Sequence, residues 1–250
     1  MTILVLGGTA EARSLARALV DDGLPLVSSL AGRVAAPALP VGEVRIGGFG
    51  GPEGLRRFLE QRQITAVVDA THPFAAQMSR HAVLAATAVG CPLLRLARPG
   101  WSDHPDASRW TWVADAAAAV VAGASARRPF LTTGRQSLES FLPWADRQAL
   151  VRVVELPTFV LPEPWRVVRS RGPYAYPTEC GLMEEHRVDL LVTKDSGGSY
   201  TQAKLAVAAD LGVPVVVIRR PAETAETPSA ATVTEARAWL RRVSSPGSPA

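Results

Sequence analysis

Cysteine, long apolar runs and clustered charge are all scarce in this sequence. Cys91 and Cys180 are the two cysteines among 250 residues, and they form no metal-binding or redox motif. Two isolated cysteines favour a reducing compartment. No apolar stretch approaches the roughly 18 residues of a membrane-spanning helix, and the amino terminus has no recognisable secretory signal. We therefore expect a cytoplasmic protein with no membrane partner and no metal site.

The excess of positive charge is small and dispersed. The formal net charge is +4, spread along the chain, with no basic cluster interleaved with aromatic residues. Nucleic-acid binding proteins usually carry such a cluster, so a nucleic-acid partner is not expected. Small acidic ligands remain compatible with this charge.

Lysine is almost missing. Of 27 basic residues only Lys194 and Lys204 are lysines, and they lie close together in the sequence. One interpretation is that these two positions specifically require an ammonium group. The alternative is chance placement on the surface.

The first residues combine a strand, a glycine turn and a helix. Residues 3–6 are a short apolar run typical of a buried parallel strand, and helical spacing begins at Ala10 after Gly7, Gly8 and Thr9. Thr9 can cap the helix, and a helix amino terminus after such a turn attracts anions. The turn keeps only the first glycine and the closing small residue of the dinucleotide fingerprint. Nucleotide binding is favoured, and a plain βα connection is the alternative.

The second predicted strand, over residues 24–30, ends where dinucleotide domains select their cofactor. It offers Ser28, Ser29 and Arg33 and no acidic residue. This combination favours a 2′-phosphate, and hence NADP(H), over NAD. A polar strand end with a solvated arginine is the alternative.

A later strand, over residues 64–70, delivers Asp69, Thr71 and His72 to its carboxyl end. Ligands of open α/β sheets bind outside these ends, and a histidine there can donate a hydrogen bond or move a proton. Alternatively, Asp69 and Thr71 only cap the following helix.

The strand–glycine–helix pattern restarts in the second half of the chain. A strand over 130–133 leads to Gly134 and Arg135, and an arginine at that turn suits a carboxylate or phosphate. A strand over 188–193 releases the loop Lys194–Ser199, which is rich in small residues and suits another anion. Alternating strands and helices predict a parallel α/β fold with two similar lobes and a ligand cleft between them.

Several segments from residue 98 onward are interpreted more coarsely. Residues 98–112 are interpreted as a connection into the second lobe, and 166–171 as a connection rich in arginine. The spacing predicts helices over 136–144, 200–210 and 233–242. Tyr200 and Lys204 spell the Y-x-x-x-K of short-chain dehydrogenases, which we interpret as coincidence because the glycine motif of those enzymes is missing.

Taken together, the motifs resemble the precorrin-6A reductase family of corrinoid (vitamin B12) biosynthesis. The resemblance extends over residues 1–221 and is carried by Gly7–Glu11, Ser29–Arg33, Asp69–Ala75, Thr132–Arg135, Thr193–Gly198 and Val213–Pro221. It implies reduction of one double bond of the precorrin-6A macrocycle with NADPH, giving precorrin-6B without flavin or metal. A short-chain-type dehydrogenase using Tyr200 and Lys204, or a non-catalytic nucleotide-binding protein, is the alternative.

The family fold implied is two Rossmann-like parallel-sheet domains that exchange a strand. We expect an NADP(H)-binding domain over 1–112, a substrate-binding domain over 113–243 and a disordered tail over 244–250. The expected cofactor residues are Gly8, Thr9 and Ala10 at the pyrophosphate, Ser29 and Arg33 at the 2′-phosphate, and Glu11, Asp69, Thr71 and His72 near the nicotinamide.

The tetrapyrrole substrate carries several carboxylates, which the second lobe is expected to meet with Arg135, Lys194, Asp195, Ser196 and Gly197. His72 and Lys204 are the candidate catalytic residues for delivering the proton. Bulk water and the acid groups of the substrate are the alternatives.

Overall fold

The computed structural model describes residues 2–32, 39–222 and 227–244. The chain forms two compact units. Unit 1 comprises Met1–Pro99 and Ala222–Ala250, and unit 2 comprises Gly100–Pro221. Each unit has its own sheet.

The elements alternate between strand and helix along most of the chain. The strands are β1 (Thr2–Leu6), β2 (Leu26–Leu30), β3 (Glu43–Ile46), β4 (Ile64–Asp69), β5 (Leu93–Leu96), β6 (Thr111–Val113), β7 (Pro129–Leu131), β8 (Leu150–Val153), β9 (Arg166–Arg169), β10 (Leu190–Lys194), β11 (Val215–Ile218) and β12 (Ser229–Ala230). The α-helices are α1 (Ala10–Asp21), α2 (Pro52–Gln61), α3 (Ala76–Ala88), α4 (Ala116–Ala122), α5 (Tyr176–Glu185), α6 (Ala203–Asp210) and α7 (Val233–Ser244). Short 3₁₀ segments are Ala107–Arg109, Arg135–Trp144 and Ser199–Thr201.

The sheet of unit 1 is parallel and runs β12-β5-β4-β1-β2-β3. Counted within the unit, this is the strand order 3-2-1-4-5-6 of dinucleotide-binding domains. The order reverses between β1 and β4, so the crevice for a ligand is expected beyond the carboxyl ends of these two strands.

After Thr2, strand β1 is apolar because helices cover both faces of the sheet. Ile3 and Val5 pack in one core cluster with side chains of α1 and α7. Leu4 and Leu6 point the other way and pack with side chains of α2 and α3. The run of four apolar residues therefore serves two cores at once.

Unit 2 repeats the arrangement. Its parallel sheet runs β6-β11-β10-β7-β8-β9. Taken from β7, this is again the order 3-2-1-4-5, with β6 in the sixth position.

The two sheets have exchanged their sixth strands. In the chain β6 follows β5, yet it pairs with β11 of the other unit's sheet. Conversely, β12 follows β11 but pairs with β5. The predicted parallel α/β fold with two Rossmann-like sheets and an exchanged strand is confirmed, while the cleft expected between the lobes stays a prediction.

The exchange moves the boundaries away from the predicted ones. Residues 100–112 belong to unit 2, where Trp101 and Trp110 are part of the core. Residues 222–243 return to unit 1, where Ala236 and Leu240 are part of the core. Strands of two or three residues carry too short a pattern to reveal this from sequence. Of the predicted tail, Ser244 ends α7, and 245–250 lie outside the described residues.

Two predicted helices and one connection also differ from the structure. Arg135–Trp144 is a 3₁₀ segment that contains Pro143, not an α-helix. The helix predicted over 200–210 is a 3₁₀ turn followed by α6. The arginine-rich connection contains the strand β9, whose apolar centre is only Val167 and Val168.

The exchanged carboxyl-terminal helix should contribute directly to the stability of unit 1. Leu240 is fully buried in the core of that unit, so Leu240→Ala should lower the free energy of unfolding by about 2–5 kcal/mol. Val243 on the same helix is 38% exposed, and Val243→Ala should cost less than about 0.5 kcal/mol. Urea unfolding measures both. Equal, small losses in the two variants would contradict the packing of α7 against unit 1.

Candidate functional site

The turn after β1 has the backbone geometry of an anion site in unit 1. Gly8 has φ of +113°, which a side chain rarely tolerates, and a Cβ placed there meets no atom within 4 Å. The turn is therefore open on that side. The N–H groups of Ala10 and Glu11 lie in the first turn of α1, where helices leave donors unsatisfied and the dipole favours negative charge. These features fit a pyrophosphate.

The side chain of Thr9 is engaged within the protein. Its hydroxyl accepts a hydrogen bond from the N–H of Ala12 at 3.1 Å and donates one to the carbonyl of Ala70 at 2.8 Å. Thr9 is the predicted cap of α1, and it also ties the turn after β1 to the end of β4. Because the hydroxyl is engaged in this way, any contact of Thr9 with a pyrophosphate would be made by its backbone N–H.

Asp69 and Thr71 form a buried cluster with an arginine that the sequence reasoning missed. Asp69 is 2% exposed, and its Oδ1 accepts from the N–H and the hydroxyl of Thr71. Arg95 lies 2.9 Å from the same oxygen and donates to the Asp69 carbonyl and to the Thr71 hydroxyl. The pair predicted near the cofactor thus fixes the carboxyl end of β4. A charged residue inside the apolar strand β5 was the available signal for Arg95.

Glu11 also has a partner, which lies just after another strand of the same sheet. Its carboxylate accepts a hydrogen bond at 2.7 Å from Arg98, which follows β5, and both side chains are largely buried. The ion pair places an arginine beside the first turn of α1 and offsets the negative charge of Glu11 there.

His72 is exposed, and its Nδ1 accepts the N–H of Phe74 at 3.2 Å. In the neutral ring the proton is therefore on Nε2. Of the residues predicted at the 2′-phosphate, Ser29 is 6% exposed at the end of β2, and its carbonyl accepts the N–H of Gly7. Arg33 lies outside the described residues.

In unit 2 the first predicted anion site is the turn after β7. Gly134 has φ of +79° and precedes the 3₁₀ segment. Arg135 donates to the carboxylate of Glu155 at 3.2 Å and is about one-third exposed. The guanidinium is thereby held at the surface of the turn with a carboxylate beside it.

The loop after β10 contains most of the predicted substrate residues, and its members differ in exposure. Lys194 is half-buried, and burial lowers its pKa. Asp195 and Ser196 are 7% and 8% exposed. The Ser196 hydroxyl lies 2.9 Å from that of Thr201, and Gly197 has φ of +64°.

Lys204 is buried beneath this loop rather than exposed beside it. Its Nζ donates to the carbonyl of Thr201 at 2.7 Å and lies 5.0 Å from the centre of the Trp101 ring. Burial lowers its pKa to about 7, the positive charge of Arg152 acts in the same direction, and Glu179 opposes it. This position suits holding the loop better than reaching a ligand.

The nearby charges come from a buried pair that the sequence reasoning also missed. Arg152 of β8 binds Glu179 of α5 through two hydrogen bonds of 2.8 and 2.6 Å. Its guanidinium lies 4.8 Å from the Phe130 ring and 4.1 Å from the Tyr174 ring. No sequence pattern pointed to Glu179, because an acidic residue in the first turn of a helix is common on the protein surface.

The described residues contain no group of three histidine, cysteine, aspartate or glutamate side chains that could hold a metal ion. None of the helices in the described ranges is long and apolar enough to cross a membrane.

Comparison with known proteins yields matches over almost the whole chain. The model of the family "Precorrin-6x reductase CbiJ/CobK" matches residues 2–241. Relatives named precorrin-6A reductase come from Rhodococcus erythropolis, 49% identical over 95% of this chain and 96% of that protein, and from Mycobacterium tuberculosis, with the same identity and coverage. A solved structure described as CobK precorrin-6A reductase is 40% identical, covers 98% of both chains and has a TM-score of 0.91.

The buried ammonium of Lys204 should make stability depend on pH. Its folded-state pKa of about 7 lies below its ordinary value of 10.5, so the unfolded chain binds more protons between these values and stability rises with pH there. Relative to Lys204→Met, the wild type should gain about 1.4 kcal/mol per pH unit over that window. Urea unfolding of both proteins at about pH 7 and about pH 9 tests this linkage. Parallel pH profiles would contradict this, because they would show that Lys204 keeps its proton and an ordinary pKa in the folded protein.

Proposed function

Because the chain belongs to the precorrin-6x reductase family CbiJ/CobK, we propose that it reduces one double bond of precorrin-6A with NADPH, giving precorrin-6B. As a member of that family it is an oxidoreductase of cobalamin biosynthesis. The observation that carries the proposal is the similarity to precorrin-6A reductases over nearly the full length of both chains.

Unit 1 is proposed to bind the nicotinamide cofactor. Its strand order and the open, positive-φ turn at Gly8 support a pyrophosphate held by backbone N–H groups of Gly8, Thr9, Ala10 and Glu11. When bound, the nicotinamide supplies the hydride. The finer assignment to NADPH rests on Ser29 and Arg33, with no acidic residue among residues 24–33 to favour the 2′-hydroxyl of NAD.

The contribution of Asp69 and Thr71 is proposed to be indirect. Their hydrogen bonds to each other and to Arg95 fix the backbone where β4 ends, beside the turn that Thr9 fastens to Ala70. A rigid crevice keeps the reacting carbons aligned, which is the main requirement of a hydride transfer.

Unit 2 is proposed to bind the carboxylates of the tetrapyrrole. Arg135 follows β7, Lys194 ends β10, and Ser196 and Gly197 follow it. The order of this sheet reverses between these two strands. A bidentate guanidinium and a partly buried ammonium are suited to carboxylates.

Exposure favours His72 over Lys204 as the proton donor. His72 is exposed at the end of β4, whereas Lys204 is 3% exposed and its ammonium already donates to Thr201. We propose that His72 delivers the proton and that Lys204 stabilises the loop.

The short-chain dehydrogenase alternative fits the geometry poorly. Those enzymes need tyrosine and lysine on one helix face. Here Tyr200 belongs to a 3₁₀ turn and is 48% exposed, while Lys204 belongs to α6 and is buried.

The direct test supplies purified protein with precorrin-6A and NADPH and follows NADPH oxidation together with the corrinoid spectrum. We expect oxidation coupled to formation of precorrin-6B, and Tyr200→Phe should keep activity within about twofold of wild type because Tyr200 is not the proton donor. NADPH binding without oxidation would favour the non-catalytic alternative. Loss of activity in Tyr200→Phe would favour the short-chain mechanism.

The NADPH preference gives a separate test at Arg33. Arg33→Ala should weaken NADPH binding at least about tenfold, or about 1.4 kcal/mol, and leave NADH binding nearly unchanged, since only NADPH carries the 2′-phosphate. Arg17→Ala removes one exposed arginine of α1 and is the matched control for net charge. Titration calorimetry measures all the affinities. Equal losses for both cofactors in Arg33→Ala would refute the assignment.

A further inference from the structure

Asp195 lies directly after β10, between the two proposed substrate residues Lys194 and Ser196. It is 7% exposed, and its carboxylate is used within unit 2. Oδ1 accepts the backbone N–H of Trp101 at 3.0 Å. Oδ2 lies 3.4 Å from Nε of Arg220, which also donates to the Asp195 carbonyl at 3.0 Å. Both carboxylate oxygens therefore have protein partners.

The backbone at Gly100 makes room for this carboxylate. A Cβ placed on Gly100 would lie 2.6 Å from Oδ2 and 3.2 Å from Oδ1 of Asp195. The shorter of these distances is one that real Cβ atoms essentially never show, so a side chain at position 100 would displace the carboxylate. Gly100 has a steric role here, and its contact with Asp195 specifies glycine.

Trp101, whose backbone N–H donates to Asp195, also contacts the rest of the loop. The indole N–H of Trp101 donates to the carbonyl of Gly198 at 3.4 Å, and its ring packs near the ammonium of Lys204. Lys204 donates to the carbonyl of Thr201. The loop is thus held at its start by Asp195 and further along by Trp101 and Lys204.

Asp195 also joins the two ends of unit 2. Gly100 is the first residue of this unit and Pro221 is its last, so Trp101 and Arg220 lie next to the points where the chain enters and leaves. These are the segments that lead to the exchanged strands β6 and β12. One carboxylate therefore fastens three segments that are distant in sequence.

We propose that Asp195 is a positioning residue and not a substrate ligand: its carboxylate fastens the Lys194–Gly198 loop to Trp101 and Arg220. The effect on catalysis rests on the proposed function, because it acts through Lys194, Ser196 and Gly197. An amide in place of the carboxylate leaves one acceptor oxygen for two donors. Either the Trp101 N–H or the guanidinium of Arg220 then loses its contact with the side chain of residue 195, and the loop loosens.

The test compares Asp195→Asn with Asp189→Asn. The carboxylate of Asp189 accepts two backbone N–H groups, of Arg127 and Arg128, but lies before β10 at the opposite end of the same strand. In Asp195→Asn we expect kcat/KM for precorrin-6A to fall at least about tenfold, mainly through KM, with NADPH affinity unchanged. Amide exchange at Trp101 and over residues 196–201 should become about tenfold faster. Asp189→Asn should change neither quantity.

Gly100→Ala provides an independent variant, since it displaces the carboxylate without altering it. It should reproduce the faster exchange and the higher KM, and it decides the matter if Asp195→Asn does not fold. Lower activity in Asp195→Asn with normal exchange would overturn the proposal and make Asp195 a substrate ligand. Unchanged exchange in both variants would overturn it as well. If the wild type does not oxidise NADPH with precorrin-6A, the proposed function fails, while the exchange data still decide whether Asp195 fastens the loop.

Discussion

Parallel pairing of the exchanged strands is the constraint on which the two units depend. Strands β12 and β6 contribute only two and three residues, but each pairs with the outer strand of a five-stranded parallel sheet. A parallel strand needs a long crossover connection to reach its place. In this chain each crossover leads into the other unit's sheet. Unit 1 consequently depends on residues after Pro221, which form its sixth strand and its last helix.

This constraint also explains which features of the fold could be predicted from the sequence. Strands such as β1 and β10 contain runs of four and three apolar residues, and α1 has a capping threonine and regular spacing, so local pattern is sufficient. Pairing partners of β6 and β12 are not encoded in so few residues. The exchange itself was implied only by family resemblance, and the predicted boundary at residue 112 followed chain order instead of core membership.

The candidate site divides in the same way between what is local and what is not. The proposed anion site is made of adjacent residues, Gly8 and the start of α1, so a local sequence pattern was sufficient to predict it. The buried partners Arg95 and Arg152 come from other strands, and no local pattern joins them to Asp69 or Glu179. Sequence reasoning identified Asp69, Thr9 and Asp195 as polar groups at strand ends. It predicted the capping role of Thr9 but could not identify the long-range partners of these side chains, such as the Ala70 carbonyl for Thr9 and the Trp101 N–H for Asp195.

A polar residue at the carboxyl end of these strands is therefore not necessarily a ligand-binding residue, because its side chain can be bound within the protein. A buried carboxylate is costly to leave unpaired. Once it is paired with an arginine and a backbone N–H, it holds those groups in place and so fixes the backbone. Asp69 fixes the end of β4, and Asp195 fixes the loop after β10. In both units the topological switch point is thus bordered by one aspartate engaged with an arginine and a backbone N–H. Under the proposed function, the pyrophosphate of the cofactor would meet backbone N–H groups of unit 1, and the carboxylates of the substrate would meet basic side chains of unit 2. Asp69 and Asp195 would then serve both ligands indirectly, by holding the backbone beside them.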